Sequence, residues 1–248
     1  INPVQQTLLH ITDCHLMPKG ELLLNTDTSA TLGQVMQQAL SEMSPSAIIA
    51  TGDLVHAGGA PVYRQFLSII ADSCDAPLLC LPGNHDFAAE MIDARLPMQS
   101  LTLGAWSVVG LDSHEDDVPK AQVDAAKRDA LFSHWGEQTA QFGLLATHHP
   151  LLPIGAPWLD KDRIDDPESL MDELIAGSGP RFAGAIFGHA HQVIQGHYCH
   201  RPLLGTPSTA FQFLPRSEKF ATDERPPGYR WLTLDDDGQI HSQVRWLH

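Results

Sequence analysis

Five apolar runs in this chain each end abruptly in a short polar block, and that recurrence restricts the possible folds more than any other feature. Thr7–Ile11 runs into Thr12-Asp13-Cys14-His15, and Ala47–Ala50 into Thr51-Gly52-Asp53-Leu54-Val55-His56. Ala76–Leu81 passes through Pro82 into Gly83-Asn84-His85-Asp86. Phe142–Ala146 delivers Thr147-His148-His149-Pro150, and Phe182–Phe187 delivers Gly188-His189-Ala190-His191. Short, almost wholly apolar runs bounded by Gly and Pro read as strands buried on both faces. Segments with helical spacing of apolar residues separate the first three of them. Strand, helix, strand, helix, strand implies a parallel sheet. In such sheets ligands collect beyond the carboxyl ends of the strands, which is where all five polar blocks fall.

The rest of the chain fills in around that edge. Helices are expected at 28–43 with Asp27 or Thr28 as cap, from Pro61 to about 71, and at 88–95, 120–135 and 168–175. The helix at 120–135 lacks a clean apolar stripe. A further strand at 106–111 ends at Asp112-Ser113-His114. Residues 151–167, rich in Pro, Gly and Asp and carrying Trp158, read as a loop over the site. After His191 the periodicity changes to short strands at 193–198, 201–205, 210–213, 229–234 and 241–247. Asp236-Asp237-Gly238 turns the last two into a hairpin, and the tail reads as antiparallel sheet. No linker divides the chain, so 1–248 is expected to be a single domain.

Composition narrows the partners. The 248 residues carry 15 Lys+Arg against 30 Asp+Glu, a formal net charge of −15. No basic patch suits nucleic acid or an anionic membrane, yet an acidic chain binds phosphate well when metal ions supply the local positive charge. The four cysteines, Cys14, Cys74, Cys80 and Cys199, form no CxxC pair and read as free thiols in a reducing compartment. No leader and no span of 18 apolar residues is visible, which points to the cytoplasm. The start at Ile1 without Met leaves room for a trimmed segment.

Taken alone, each polar block has a bland reading as a turn or a surface pair. Gathered at one edge, they leave the bland reading with a crevice of uncompensated Asp and His, at a cost in desolvation and repulsion. Metal ions remove that cost. The mixed oxygen and imidazole set suits manganese, iron or zinc better than calcium or magnesium. Asp13 and His15, at i and i+2 of an extended segment, would face one ion, with Cys14 pointing the other way. There are enough ligands for two ions, which together can clamp the oxygens of a phosphoryl group. Asp53 is the natural bridging carboxylate, and His85 is free to act on the leaving oxygen.

The ordered blocks DxH (Asp13, His15), GDLVH (52–56), GNHD (83–86), THHP (147–150) and GHAH (188–191) resemble the calcineurin-like metallophosphoesterase superfamily. That resemblance implies a four-layer α/β/β/α sandwich. It implies one metal held by Asp13, His15, His191 and bridging Asp53, and a second held by Asp53, Asn84, His148 and His189. It further implies that His85 acts on the phosphate or leaving group, that Asp86 supports His85 in catalysis, and that Asn84, His85 and His149 lie on the substrate side. The blocks 205–213, Asp223 and 227–230, with Trp158-Leu159-Asp160, are similar to bacterial 3′,5′-cyclic AMP phosphodiesterases. The implied partner is thus a small cyclic nucleotide, hydrolysed to 5′-AMP by a monomer or homodimer. Other phosphodiester, phosphomonoester or nucleotide-pyrophosphate hydrolysis is the alternative. A non-catalytic interaction scaffold would have to lose ligands, and all are present.

Overall fold

The computed structural model describes residues 5–248. Its first half alternates as the apolar runs require: β1 (Gln6–Ile11), α1 (Thr28–Glu42), β2 (Ala47–Thr51), α2 (Ala60–Ser73), β3 (Leu78–Leu81) and α3 (Ala88–Asp93). There follow β4 (Leu101–Leu103), β5 (Trp106–Leu111), α4 (Ala125–Gly136), β6 (Phe142–Thr147), α5 (Pro157–Asp160), α6 (Pro167–Ala176) and β7 (Arg181–Phe187). The tail holds β8 (Ile194–Tyr198), β9 (Arg201–Gly205), β10 (Gln212–Phe213), β11 (Thr222–Asp223), β12 (Gly228–Leu234) and β13 (Ile240–Trp246).

Two mixed sheets stack face to face, one in the order β13-β12-β1-β2-β3 and the other β4-β5-β6-β7-β9-β8, with β10-β11 as a separate ribbon. Strand pleating explains the layers. Leu8, Ile49 and Leu79 turn inward and meet Val108, Leu144 and Ile186 of the other sheet. Their neighbours Leu9, Ile48 and Cys80 turn outward and pack on Val35, Met36 and Phe66 of α1 and α2. On the far side Val109, Leu145 and Ala185 pack on Leu131, Trp135, Leu170 and Met171 of α4 and α6. Each central strand is therefore apolar at both parities, and the layers run α/β/β/α. All four cysteines are free, as expected. Among the described residues no helix is long and apolar enough to cross a membrane.

The boundaries differ from the sequence expectation where capping decides them. α4 starts at Ala125 because the Asp124 side chain accepts from the Lys127 amide, leaving 120–124 outside the helix. Its weak stripe has a simple cause, since only Leu131 and Trp135 are buried. The tail is not one antiparallel unit. β12 and β13 extend the first sheet, whereas β9 joins the second sheet parallel to β7 and pairs antiparallel only with β8. The run at 210–213 shrinks to the two residues of β10.

Candidate metal centre

The carboxyl ends of β1, β2 and β3 from one sheet face those of β6 and β7 from the other, and the polar blocks meet between them. Asp13, His15, Asp53, His148, His189 and His191 are almost wholly buried. Asn84 is half-buried and His85 is exposed at the rim.

The blocks do not continue their strands. Asp13, His15, Asp53, His189 and His191 have φ of 52°, 45°, 50°, 65° and 46°. The extended i, i+2 geometry expected of Asp13 and His15 is thus incorrect. Both sit in the left-handed region that non-glycine residues rarely adopt, at roughly 1 kcal/mol or more each. Cys14 still points away into the helix-side core. Cross-links between loops hold this backbone: the Asp13 amide donates to the Gly52 carbonyl (2.9 Å), and the His15 amide to the Asp53 carbonyl (2.8 Å). Gly52 has φ +94°, and a Cβ there would lie 2.6 Å from both the Gly83 nitrogen and His148 Nδ1. Gly83 serves close approach, since a Cβ on it would collide with the Asp53 carboxylate.

Hydrogen bonds to carbonyls fix the imidazole tautomers, because a carbonyl only accepts. His148 donates from Nδ1 to the Thr51 carbonyl (2.7 Å), and His191 from Nδ1 to the Phe211 carbonyl (2.7 Å). With the proton on Nδ1, each ring can turn a lone pair on Nε2 into the centre. His15 Nδ1 lies 3.3 Å from His56 Nδ1, leaving its Nε2 inward. Burial, with neighbouring imidazoles adding to it, holds His15 and His189 well below the ordinary imidazole value, so both are neutral.

The inward atoms form two overlapping groups. In one, His15 Nε2 is 3.1 Å from His191 Nε2 and 3.6 Å from Asp53 Oδ2, and His191 Nε2 is 3.3 Å from Asp13 Oδ1. In the other, His148 Nε2 is 3.5 Å from the same Asp53 Oδ2 and 3.1 Å from Asn84 Oδ1, while His189 Nδ1 is 2.9 Å from Asn84 Oδ1 and 3.3 Å from His148 Nε2. Acceptors crowded in this way repel one another without a cation. Ligands held at about 2.0–2.2 Å from one ion are themselves about 3–3.5 Å apart, so the spacing fits metal. Asp53 Oδ2 belongs to both groups. Its Oδ1 accepts from the His85 amide at 2.8 Å.

Two expected roles do not survive. Asp86 does not support His85. It is fully buried and accepts from the amides of Leu54, Val55 and Gly83 and from the Tyr63 hydroxyl, so it ties the loop after β2 to the loop after β3. Burial and then the Asp53 carboxylate push it up to about 6. His149 lies near His148 and His189, but it has no free nitrogen. Nε2 donates to the Pro119 carbonyl (3.0 Å) and Nδ1 meets the Ser113 hydroxyl (2.8 Å). It is fully buried, away from the substrate side where it was expected.

Above the cluster lies a cavity of about 350 Å³. Its floor is His15, Asp53, Asn84, His189 and His191, with His85 at the edge. Its wall comes from Asp117, Pro119, Trp158, Leu159, Asp162 and Phe213. Trp158 and Phe213 make an edge-on ring pair at 5.0 Å, and Phe213 stacks on His191 at 4.0 Å. Trp158 lines the cavity, whereas Phe87 and Phe211 do not. Asp162 lies in the 151–167 loop and Phe213 in the 205–213 block that the sequence already singles out, whereas nothing in the sequence points to Asp117.

Fold and site together define a metal-dependent hydrolase with a dinuclear centre. Residues 6–193 match the calcineurin-like phosphoesterase family, and the chain belongs to it. It is 33% identical over 243 residues to the 3′,5′-cyclic adenosine monophosphate phosphodiesterase CpdA of Pseudomonas aeruginosa, covering 96% of this chain and 88% of that protein. It is 31% identical over 246 residues to the CpdA of Haemophilus influenzae, covering 96% and 89%. Among solved structures, TT1561 of Thermus thermophilus shares the fold with a TM-score of 0.59 at 13% identity, covering 99% of this chain and 100% of that one.

Proposed function

We propose that this protein hydrolyses 3′,5′-cyclic AMP to 5′-AMP. One observation carries the substrate: the likeness to relatives named for that reaction extends over 96% of this chain, so it takes in the cavity wall as well as the metal floor. A cavity of about 350 Å³ suits a mononucleotide, and its aromatic wall offers the base a surface. The whole chain acts as one domain, since β12 near the C-terminus lies beside β1. The free thiols and acidic balance agree with a cytoplasmic enzyme acting on a small molecule.

In this reading Asp13, His15, His191 and Asp53 would hold one ion, and Asp53, Asn84, His148 and His189 would hold the other. The imidazole-rich set favours iron, manganese or zinc. Such ions supply Lewis-acid charge to phosphoryl oxygens and lower the pKa of a bound water. Asn84 and His85 face the phosphate. His85 has its amide anchored on Asp53 and its ring stacked on His56 at 4.9 Å. Held at the cavity edge, it hydrogen-bonds or protonates the departing 3′ oxygen. Trp158 and Phe213 bear on the base.

A substrate panel tests this. Manganese- or iron-loaded protein should convert cyclic AMP to 5′-AMP and be silenced by a chelator. Protein that ignores cyclic nucleotides but cleaves bis(p-nitrophenyl) phosphate or a nucleotide pyrophosphate would overturn the substrate. His85→Ala should keep both metals and lose about 10²–10⁴-fold in turnover, the usual worth of a positioned acid. Metal lost with His85 would place it among the ligands.

A further inference from the structure

The imidazoles around the two acceptor groups are held from behind, with one exception. His148 is held by the Thr51 carbonyl at 2.7 Å, His191 by the Phe211 carbonyl at 2.7 Å and His15 by His56 at 3.3 Å. His189 turns Nδ1 toward Asn84 Oδ1 and His148 Nε2, so its Nε2 is the rear atom. That Nε2 is buried and has no hydrogen-bond partner. A neutral ring that offers the Nδ1 lone pair carries its proton on Nε2, and a buried N–H without an acceptor costs about 1–3 kcal/mol.

The nearest acceptor is Asp162 Oδ2, 4.0 Å away. The Asp162 side chain is only 11% exposed. Burial raises its carboxyl above the ordinary value, with Lys161 and Lys120 offsetting part of the effect. Its backbone is fixed on both sides, the amide donating to the Leu159 carbonyl (3.0 Å) and the carbonyl accepting from the Ala121 amide (3.0 Å). An imidazole N–H in need of an acceptor therefore faces a buried carboxylate across a gap about 1 Å too long for a hydrogen bond.

We propose that Asp162 is a positioning residue for the metal centre, accepting the Nε2 proton of His189 and so presenting His189 Nδ1 to the second metal position. The inference rests on the reading of His189 as a ligand. A side-chain adjustment of about 1 Å makes the bond. Because Asp162 belongs to the cavity wall and His189 to its floor, the contact ties the loop that carries Trp158 and Leu159 to the metal. Asp162 touches neither the phosphate nor the reacting atoms in this role. Outer carboxylates of this kind fix a ligand's tautomer and raise its basicity, and their loss costs about 10–100-fold in metal affinity.

The test is a manganese titration of the metal-free protein by calorimetry. Wild type should bind two ions. Asp162→Ala should bind one ion like wild type and the other about 10–100-fold more weakly. Asp162→Asn, which keeps an amide oxygen as acceptor, should recover most of that loss. In zinc-loaded wild type, the His189 Nε2 proton should be visible by ¹H–¹⁵N NMR and protected from exchange. Wild type and Asp162→Ala binding two ions alike, or a freely exchanging Nε2 proton, would overturn the proposal alone. Wild type binding a single ion would overturn the ligand reading of His189 and this proposal with it. The NMR measurement on wild type decides the matter even if Asp162→Ala fails to fold.

Discussion

The floor and the wall of the cavity are built by different means. The floor is made of strand ends from both sheets, almost wholly buried and cross-linked through the backbone. His189, for instance, donates its amide to the Asp13 carboxylate at 3.0 Å. The wall is made of the loop after β5, the segment after β6 that includes α5, and β10. These are held by local devices: Asp160 accepting from the amides of Ile154 (2.7 Å) and Gly155 (3.1 Å), and Trp158 and Phe213 packing with Phe220. The floor concentrates backbone strain and buried charge, so each residue there is fixed by chemistry. The wall needs only shape and an apolar face, which many sequences supply. Substitutions should therefore separate cleanly. Floor changes should cost metal, turnover or folding, and wall changes should cost substrate affinity, except at Asp162, the wall residue that reaches back to His189.

The largest effect should come from Asp53, whose Oδ2 both groups share. Asp53→Ala should lower metal content at both positions, read by elemental analysis, and reduce turnover by more than the ~100-fold that an outer partner costs. Turnover near wild type would mean the two groups do not share a carboxylate in function. Next comes Asp86, which separates the floor's architecture from its chemistry. Asp86→Ala strands three amides and a hydroxyl and should destabilise the metal-free protein by about 3–5 kcal/mol in urea unfolding. A loss below about 1 kcal/mol would show that the crossed loops hold themselves.

The same contrast explains what could be read in advance. The two-faced apolar runs dictated buried parallel strands, and the polar residues after them dictated the floor. Their burial without compensation makes sense only around cations. Asp13 and His15 were placed at one ion for the wrong reason, because a left-handed turn cannot be told from an extended pair in sequence. Asp86 looked like a partner for His85 because the two are adjacent. Apart from Gly83, its partners Leu54, Val55 and Tyr63 come from more than twenty positions earlier. Asp162 stands between Lys161 and Arg163 in a polar loop and gives no signal of its own. Only the fold brings it to His189.

A wall substitution sharpens the contrast at intermediate size. Trp158→Ala removes a ring that lines the cavity and packs on Phe213, without touching any inward donor of the floor. KM for cyclic AMP should rise about 10-fold with kcat within about 3-fold, as for a contact made equally in ground and transition states. Metal content should not change. A fall in kcat with KM unaltered would mean that the wall takes part in the chemical step, and the division between floor and wall would fail.

The smallest effect lies where the loop after β5 leaves the sheet to become wall. His114 Nδ1 is 2.7 Å from Asp112 and its Nε2 is 3.0 Å from Asp116, which also accepts from the Ala88 amide of α3 at 3.3 Å. Partial burial would lower this imidazole, but the hydrogen bonds and charges of Asp112, then Asp116, outweigh it and raise the value above about 6.5. A raised imidazole contributes stability that is fully present below the unfolded value and lost as pH climbs through the folded one. Relative to His114→Gln, metal-free wild type should therefore lose stability as pH rises from about 6.5 through the raised value. The two carboxylates are nearly half exposed, so solvent screening limits the difference to about 1 kcal/mol or less. Thermal midpoints measured across that pH range check it. Equal slopes in the two proteins would show that this part of the wall is held by the Lys127 bond to the His114 carbonyl instead, and that its electrostatics are incidental.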